Sequence, residues 1–277
     1  MRILSGTSQD VNLHAEGILR FLSSDLLSNQ KSIGVFERIL SQAVFTSSFQ
    51  FWLELELADE VIAVSYKRDG DPVFVHASPG MSLEYRQMLL GKSLSFQGTE
   101  SSLDLLFGVP GFAKFTVSRE RLVMVCTRTD LPSSHHQSSE FLIRTGDSND
   151  VDQLQTMLTE FASAVNMSID QFSTIHDMMD RGRFFVACAP ETGGIASMVY
   201  ATFPSMSVSR ISCVYTHQTH RRKGLSKLLV AAALDWTLQN GNACTLFVDQ
   251  ANHAALATYA SVGFQIHTKH QVRNIVR

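Results

Sequence analysis

Three consecutive cations, Arg221, Arg222 and Lys223, stand directly before Gly224 in the stretch from Ser209 to Gly241. Ahead of them Ile211, Cys213 and Tyr215 alternate with Ser212, Val214 and Thr216, the composition of a strand covered on both faces. Behind them Leu225, Leu228, Leu229, Ala232 and Trp236 recur at helical spacing along one expected buried face, and Asn240-Gly241 reads as a helix stop. A basic loop leading from a strand into a helix suits an anion. The first N–H groups of a helix have no internal partner, and the macrodipole adds about half a positive charge there, so phosphate is the natural ligand. The N–H groups of Arg222, Lys223, Gly224, Leu225, Ser226 and Lys227 are placed to reach it, with Arg221 and its two neighbours supplying charge. Gly224 lets the ligand approach the backbone with no Cβ in the way. The plain alternative is a strand, a turn and a helix with a solvated basic loop.

Spacing separates these readings. Arg221-x-x-Gly224-x-Ser226 is followed downstream by Cys244 to Asp249, a buried-strand pattern, and then by Asn252, Ala255, Tyr259, Gly263 and Phe264 at fixed intervals. Together the two segments resemble the GNAT superfamily of acyl-CoA N-acyltransferases, whose pyrophosphate loop reads Arg/Gln-x-x-Gly-x-Gly/Ala. Ser226 departs from that pattern with a small residue bearing a hydroxyl, which alters packing or adds a phosphate contact. The resemblance implies an α/β chain of two GNAT-like domains, each a mixed, mostly antiparallel sheet flanked by helices. It implies acetyl-CoA as co-substrate, no metal, and direct transfer of the acetyl group to a primary amine on a small-molecule or peptide acceptor.

Acyl transfer from a thioester needs a nucleotide anchor, a polarised carbonyl, a base for the amine and a proton for the leaving thiolate. The resemblance gives the anchor to the basic loop and the polarising N–H to the strand segment Val214, Tyr215 and Thr216. It makes Tyr259 the general acid, since a phenol near 10 can protonate a thiolate whose conjugate acid lies near 8.5. Asn252 caps the last helix and touches the cofactor. The base stays open among His217, His220, Asp249 and ordered water. A non-catalytic acyl-CoA-binding or sensing protein is the alternative; Tyr259 beside an intact loop favours the enzyme.

The elements that must position these residues are set by the whole chain. Its 277 residues suit two domains, expected at 1–131 and 140–277. The polar stretch Thr127 to Ser139, with solvated His135 and His136, is the expected linker. A net charge of −3 argues against nucleic acid or an anionic membrane as partner. The most apolar early stretch, Gly17 to Leu27, is broken by Arg20 and Asp25, so neither a span nor a signal peptide is expected. Cys126, Cys188, Cys213 and Cys244 sit in apolar runs without metal spacing, as free thiols of a reducing, cytoplasmic compartment. Oligomeric state is open.

Along the first half the patterns give helices over residues 9–45, strands at 51–58, 60–66 and 73–76, a helix at 81–90, a strand at 94–96, a helix at 101–107 and a strand pair at 115–126. The second half repeats this order: a strand at 141–144, a helix from Val151 capped by Ser148 and Asn149, a second helix at 169–180, and a hairpin at 184–203. After its third strand the first half carries Ser78-Pro79-Gly80 in place of the basic loop, so it reads as a degenerate copy that lacks the phosphate site.

Overall fold

The computed structural model describes residues 2–7, 13–40, 49–56, 59–67, 71–108, 114–130, 140–169 and 172–276. In chain order the elements begin with β1 (Arg2–Thr7), α1 (Ala15–Ser23), α2 (Leu26–Leu40), β2 (Gln50–Leu55), β3 (Val61–Lys67), β4 (Val73–Ala77), α3 (Leu83–Leu90), β5 (Ser95–Thr99), α4 (Glu100–Phe107) and β6 (Phe115–Thr127). They continue with β7 (Leu142–Thr145), α5 (Val151–Ala164), α6 (Ile175–Asp180), β8 (Gly182–Cys188), β9 (Ile195–Thr202), β10 (Val208–Thr216), α7 (Leu225–Asn240), β11 (Ala243–Asp249), α8 (His253–Ala260) and β12 (Gln265–Ile275). Two compact units result: Met1–Val123 together with His267–Arg277, and Met124–Ile266. The first is therefore built from two pieces of the sequence. Among the described residues no helix is long and apolar enough to cross a membrane.

In the first unit the strands run in the order β1-β2-β3-β4-β5-β12. All neighbours are antiparallel except the β4/β5 pair. On one face Ile18, Leu22 and Phe36 meet Phe51, Leu53, Tyr66 and Phe74; on the other Trp52 and Val75 meet Tyr85, Leu89, Phe96 and Leu103. Helices thus cover both faces, and the alternating pattern of β2, which resembles a half-solvated strand, is buried throughout after Gln50. Glu54 is fully buried as a consequence, and its two carboxylate oxygens accept the Ser82 N–H at 3.0 and 3.2 Å. That carboxylate lies at the N-terminus of α3, where the helix dipole favours negative charge.

In the second unit the order is β11-β10-β9-β8-β7, with β10/β11 parallel and the others antiparallel. Leu154, Leu158, Ile175 and Met178 of α5 and α6 pack on Phe184, Val186, Met198 and Cys213, and α7 packs on β9 and β10. Both units therefore follow one plan, strand, two helices, three strands, helix, strand, helix, and both place a helix between the two strands of their parallel pair.

Several local expectations are corrected. β1 is an additional strand, paired with β2 over its whole length. Residues 115–127 form one 13-residue strand, not a pair, because no Gly, Pro, Asn or Asp offers a turn between Phe115 and Cys126. The cap before α5 is made by Asp147 and Asp150: Asp147 accepts the Asn149 N–H, and Asp150 accepts the Asp147 N–H while pairing with Arg144 at 2.6 Å. α6 begins at Ile175, capped by Thr174, so the helical pattern expected from Ile169 shortens to six residues. The buried side of α7 is Leu225, Leu229, Val230, Ala233, Leu234 and Leu238, whereas Leu228, Ala232 and Trp236 are only half-buried. Of the expected linker Thr127 to Ser139, Thr127 ends β6 and Arg128–Asp130 form a short 3-10 turn, while residues 131–139, with His135 and His136, lie outside the described residues.

Candidate functional site

The site begins where β10 loses its neighbour. The parallel register with β11 runs from Val208↔Ala243 to Ile211↔Leu246 and stops there. On the other edge, pairing with β9 slips between Ser212 and Tyr215, and Cys213 in that slip adopts φ 50°. A bulge of this kind bends a strand and re-aims the residues after it. Tyr215 and Thr216 then resume pairing with Met198 and Ser197, so the segment Val214 to Thr216 is held on its β9 edge and has left β11 on the other. The expected carbonyl-polarising residues thus lie beyond the point where the ladder with β11 ends.

From Thr216 the chain makes a short 3-10 turn, Gln218–His220, then passes through Arg222 at φ 67° and Gly224 at φ 78° into α7. A left-handed non-glycine residue costs about 1–2 kcal/mol, a strain found often at functional loops. A Cβ built on Gly224 meets nothing within 4 Å, so the glycine is required by its φ and the space before it is open. The α7 ladder starts with the Leu228 N–H donating to Gly224 O at 3.2 Å. The N–H groups of Leu225, Ser226 and Lys227 precede it at the helix mouth, and Gly224 makes no side-chain cap to cover them. A left-handed residue leading into right-handed helical ones, whose first N–H groups lie outside the helical ladder, has the geometry of an anion nest.

Two of the cations around this mouth lie near aromatic rings. Arg221 donates from Nε to Thr216 O at 3.2 Å, and its guanidinium lies 5.9 Å from the Tyr215 ring centroid. Lys223 Nζ is 5.1 Å from the Phe141 ring centroid. Arg222 is exposed and Lys227 half-buried. Ser226, the departure from the expected loop pattern, joins a hydroxyl chain. Ser197 donates to Tyr215 O at 2.9 Å, so it must accept from Thr216 at 2.7 Å, and Thr216 must accept from Ser226 at 2.9 Å. Each hydroxyl has one proton, so the Ser226 proton is committed to tying β10 to α7.

Asn252 caps α8 by accepting the Ala255 N–H at 3.1 Å. Tyr259, two turns on, is buried with its ring edge toward Phe264 at 6.2 Å, on a helix that packs against α7. Burial alone holds its phenol well above the ordinary range, in the neutral, proton-bearing form. Of the three candidate bases, Asp249 closes the β11–α8 turn by accepting the Ala251 N–H at 3.0 Å. His220 turns its ring edge to Phe141, with Nδ1 buried and without a hydrogen-bond partner. His217 holds Thr219 Oγ1 at 2.8 Å through Nδ1 and points Nε2 toward Glu160 at 3.9 Å. Glu160, in the last turn of α5, is a residue that sequence reasoning misses; an acidic residue on the polar side of an amphipathic helix carries no local signal. The four thiols are buried and free. Burial pushes Cys126 and Cys244 up to about 12 and Cys213 up to about 11, so the bulge cysteine is a core group and no nucleophile.

In the first unit the equivalent geometry is closed. β4 and β5 pair through Val75↔Gly98, where a Cβ on Gly98 would stand 2.5 Å from Val75 O. The N-terminus of α3 is already supplied with an anion by Glu54.

Residues 151–264, within the second unit, match the family model described as the acetyltransferase (GNAT) family. No curated protein matches the chain. Among solved structures the fold is similar to a GCN5-related N-acetyltransferase from Sphaerobacter thermophilus, with TM-score 0.67 and 14% identity over 99% of this chain and 96% of that one. It is also similar to a GNAT-family acetyltransferase from Colwellia psychrerythraea, with TM-score 0.66 and 11% identity over 100% of both. A tandem GNAT protein from the clavulanic acid biosynthesis pathway matches with TM-score 0.65 and 13% identity over 98% of this chain and 97% of that one. The chain therefore has a GNAT-like fold in both units.

Proposed function

We propose that this protein is an acetyl-CoA-dependent N-acetyltransferase that moves an acetyl group directly to a primary amine of a small molecule or peptide. The observation that carries the reading is the open helix mouth at Gly224, beside the point where β10 and β11 part. The fit to coenzyme A is chemical: N–H groups of Arg222 to Lys227 and the cations Arg221, Arg222, Lys223 and Lys227 suit a diphosphate. The thioester supplies the acyl group. Val214 to Thr216 offer backbone donors to its carbonyl oxygen, Tyr259 holds a proton for the departing sulfur, and Asn252 fixes the helix that carries Tyr259. The first unit, with its helix mouth filled by Glu54, is read as a copy that has lost cofactor binding. Four buried free thiols suit a reducing, cytoplasmic setting.

The test is calorimetric titration of the full chain with coenzyme A, paired with thiol release from acetyl-CoA across a panel of amines. One site per chain is expected, abolished by charge reversal at Arg221 and Arg222 together. Absence of heat sinks the reading. Heat without turnover on any amine points to a non-catalytic acyl-CoA sensor.

A further inference from the structure

We propose that Glu160 and His217 together seat the ammonium group of the acceptor, Glu160 as its counter-charge and His217 as the group that takes its proton. The proposal rests on the reading of the β10 edge as the acyl-transfer site. Three observations carry it.

The first is a gap of the right width. His217 Nδ1 is engaged by Thr219 Oγ1, so Nε2 is the nitrogen left to face Glu160 Oε1, 3.9 Å away. That distance is too long for a hydrogen bond. An atom about 2.8 Å from both would subtend about 90° between them, which an ammonium nitrogen with three N–H donors can meet. When Thr219 accepts from Nδ1, Nε2 presents a lone pair, and two acceptors then face each other and call for a donor between them.

The second is charge. Glu160 Oε2 is buried without a hydrogen-bond partner, so this oxygen has room for a donor. The Tyr215 hydroxyl lies against this carboxylate as a hydrogen-bond donor: burial raises its phenol first, the Glu160 charge and that hydrogen bond raise it further, and Arg221 opposes them. The Arg221 guanidinium is drawn to the Tyr215 ring and to Thr216 O. Glu160 and His217 are each about one-third exposed on their side chains, so the gap is reachable from solvent.

The third is the wall. Phe161, next to Glu160 in α5, stands 5.9 Å from Phe172 and 6.5 Å from Tyr215, and all three rings are half-buried. A carboxylate next to such a wall selects an amine on an apolar or aromatic carrier, by desolvation and cation–π attraction. His217 directly follows the Val214 to Thr216 edge, so the seated nitrogen is next to the segment assigned to the thioester carbonyl.

The chemistry balances. The ammonium loses one proton to His217 Nε2, whose imidazolium is countered by Glu160. The freed lone pair forms the N–C bond as the C–S bond breaks, and the second proton lost by nitrogen equals the one that ends on the thiolate.

The experiment uses the full chain saturated with coenzyme A and ¹³C-labelled at histidine, with the His217 ring signal assigned by its loss in His217→Gln. Phenethylammonium is the probe and 2-phenylethanol its uncharged counterpart. The expected result is that the ammonium shifts the His217 signal saturably, the alcohol leaves it unmoved, and Glu160→Gln weakens the titration at least ten-fold while calorimetry gives unchanged coenzyme A affinity. Glu160→Asp recovers part of the loss. Equal titrations in wild type and Glu160→Gln, an equal response to the alcohol, or no response with coenzyme A bound overturns the proposal. Failure to bind coenzyme A overturns the preceding reading and is seen before any amine is added.

Discussion

Replacing Gly224 by Ala separates backbone strain from ligand exclusion at one atom. Gly224 has φ 78° and ψ 2°, and an added Cβ meets nothing within 4 Å, so the only folded-state cost is the left-handed conformation. For an alanine that is about 1–2 kcal/mol. The stiffer unfolded chain returns about 0.4–1 kcal/mol, leaving a net loss of about 1 kcal/mol. For a unit of this size that lowers Tm by about 2–4 °C. Coenzyme A sees a larger effect. The methyl stands in the space before the N–H groups of Leu225 to Lys227, and holding a diphosphate off two charged hydrogen bonds removes about 1.5–3 kcal/mol for each. Affinity should fall at least about 100-fold. Gly193, in the β8–β9 hairpin, is the control: φ is 69° and its added Cβ also meets nothing within 4 Å. Gly193→Ala should match the Tm loss and keep wild-type affinity. Differential scanning calorimetry and isothermal titration with coenzyme A read both quantities. If Gly224→Ala binds within two-fold of wild type, the helix mouth is not the diphosphate site.

The same geometry sets three other outcomes. Tyr259→Phe should lower turnover by about ten-fold or more, within the range of general acid catalysis, with unchanged coenzyme A affinity and thermal stability; unchanged turnover removes the role. Ser226→Ala ends the hydroxyl chain at Thr216 and should cost about 1 kcal/mol of stability, yet leave coenzyme A affinity within two-fold, since the Ser226 proton serves Thr216 and not a phosphate. His76 is buried, bonded through Nε2 to Ser32 at 2.7 Å, and lowered by burial from 6.5 to about 4. The unfolded chain therefore takes a proton first as pH falls below about 6.5, and stability is lost progressively down to about pH 4. At about 1.4 kcal/mol per pH unit the loss is about 3 kcal/mol. Urea unfolding followed by Trp52 fluorescence, in a Trp236→Phe background, should show that His76→Gln flattens this acid limb; an unaltered limb refutes the assignment to His76.

The chemistry-bearing loop was legible because its causes are local. Three cations, a glycine and a helix start fall within seven residues, and Asn252 caps its helix three residues from its partner. The alternating and helical periods likewise located most strands and helices, since covering a face demands them. Where a pattern was two-sided, sequence could not choose. α7 is apolar on nearly every side, so its period does not say which face the sheet will cover. β2 alternates, yet both its faces are roofed, and Glu54 becomes a buried anion for α3 only because β2 and α3 meet across 28 residues.

Tertiary structure alone decided the distances between residues far apart in sequence. The parting of β10 from β11 depends on a register that ends at one pair, and the bulge at Cys213 has no glycine to announce it. Glu160 faces His217 because α5 packs on β10, and Ser226 ties to Thr216 because α7 folds back on the strand that precedes it. Composition and spacing placed three cations and a glycine at a helix start within an alternating order of strands and helices. Which edge opens, which helix mouth is already filled and which carboxylate meets the histidine are settled by packing, since side chains on separate elements interact only after the sheet has set their separation.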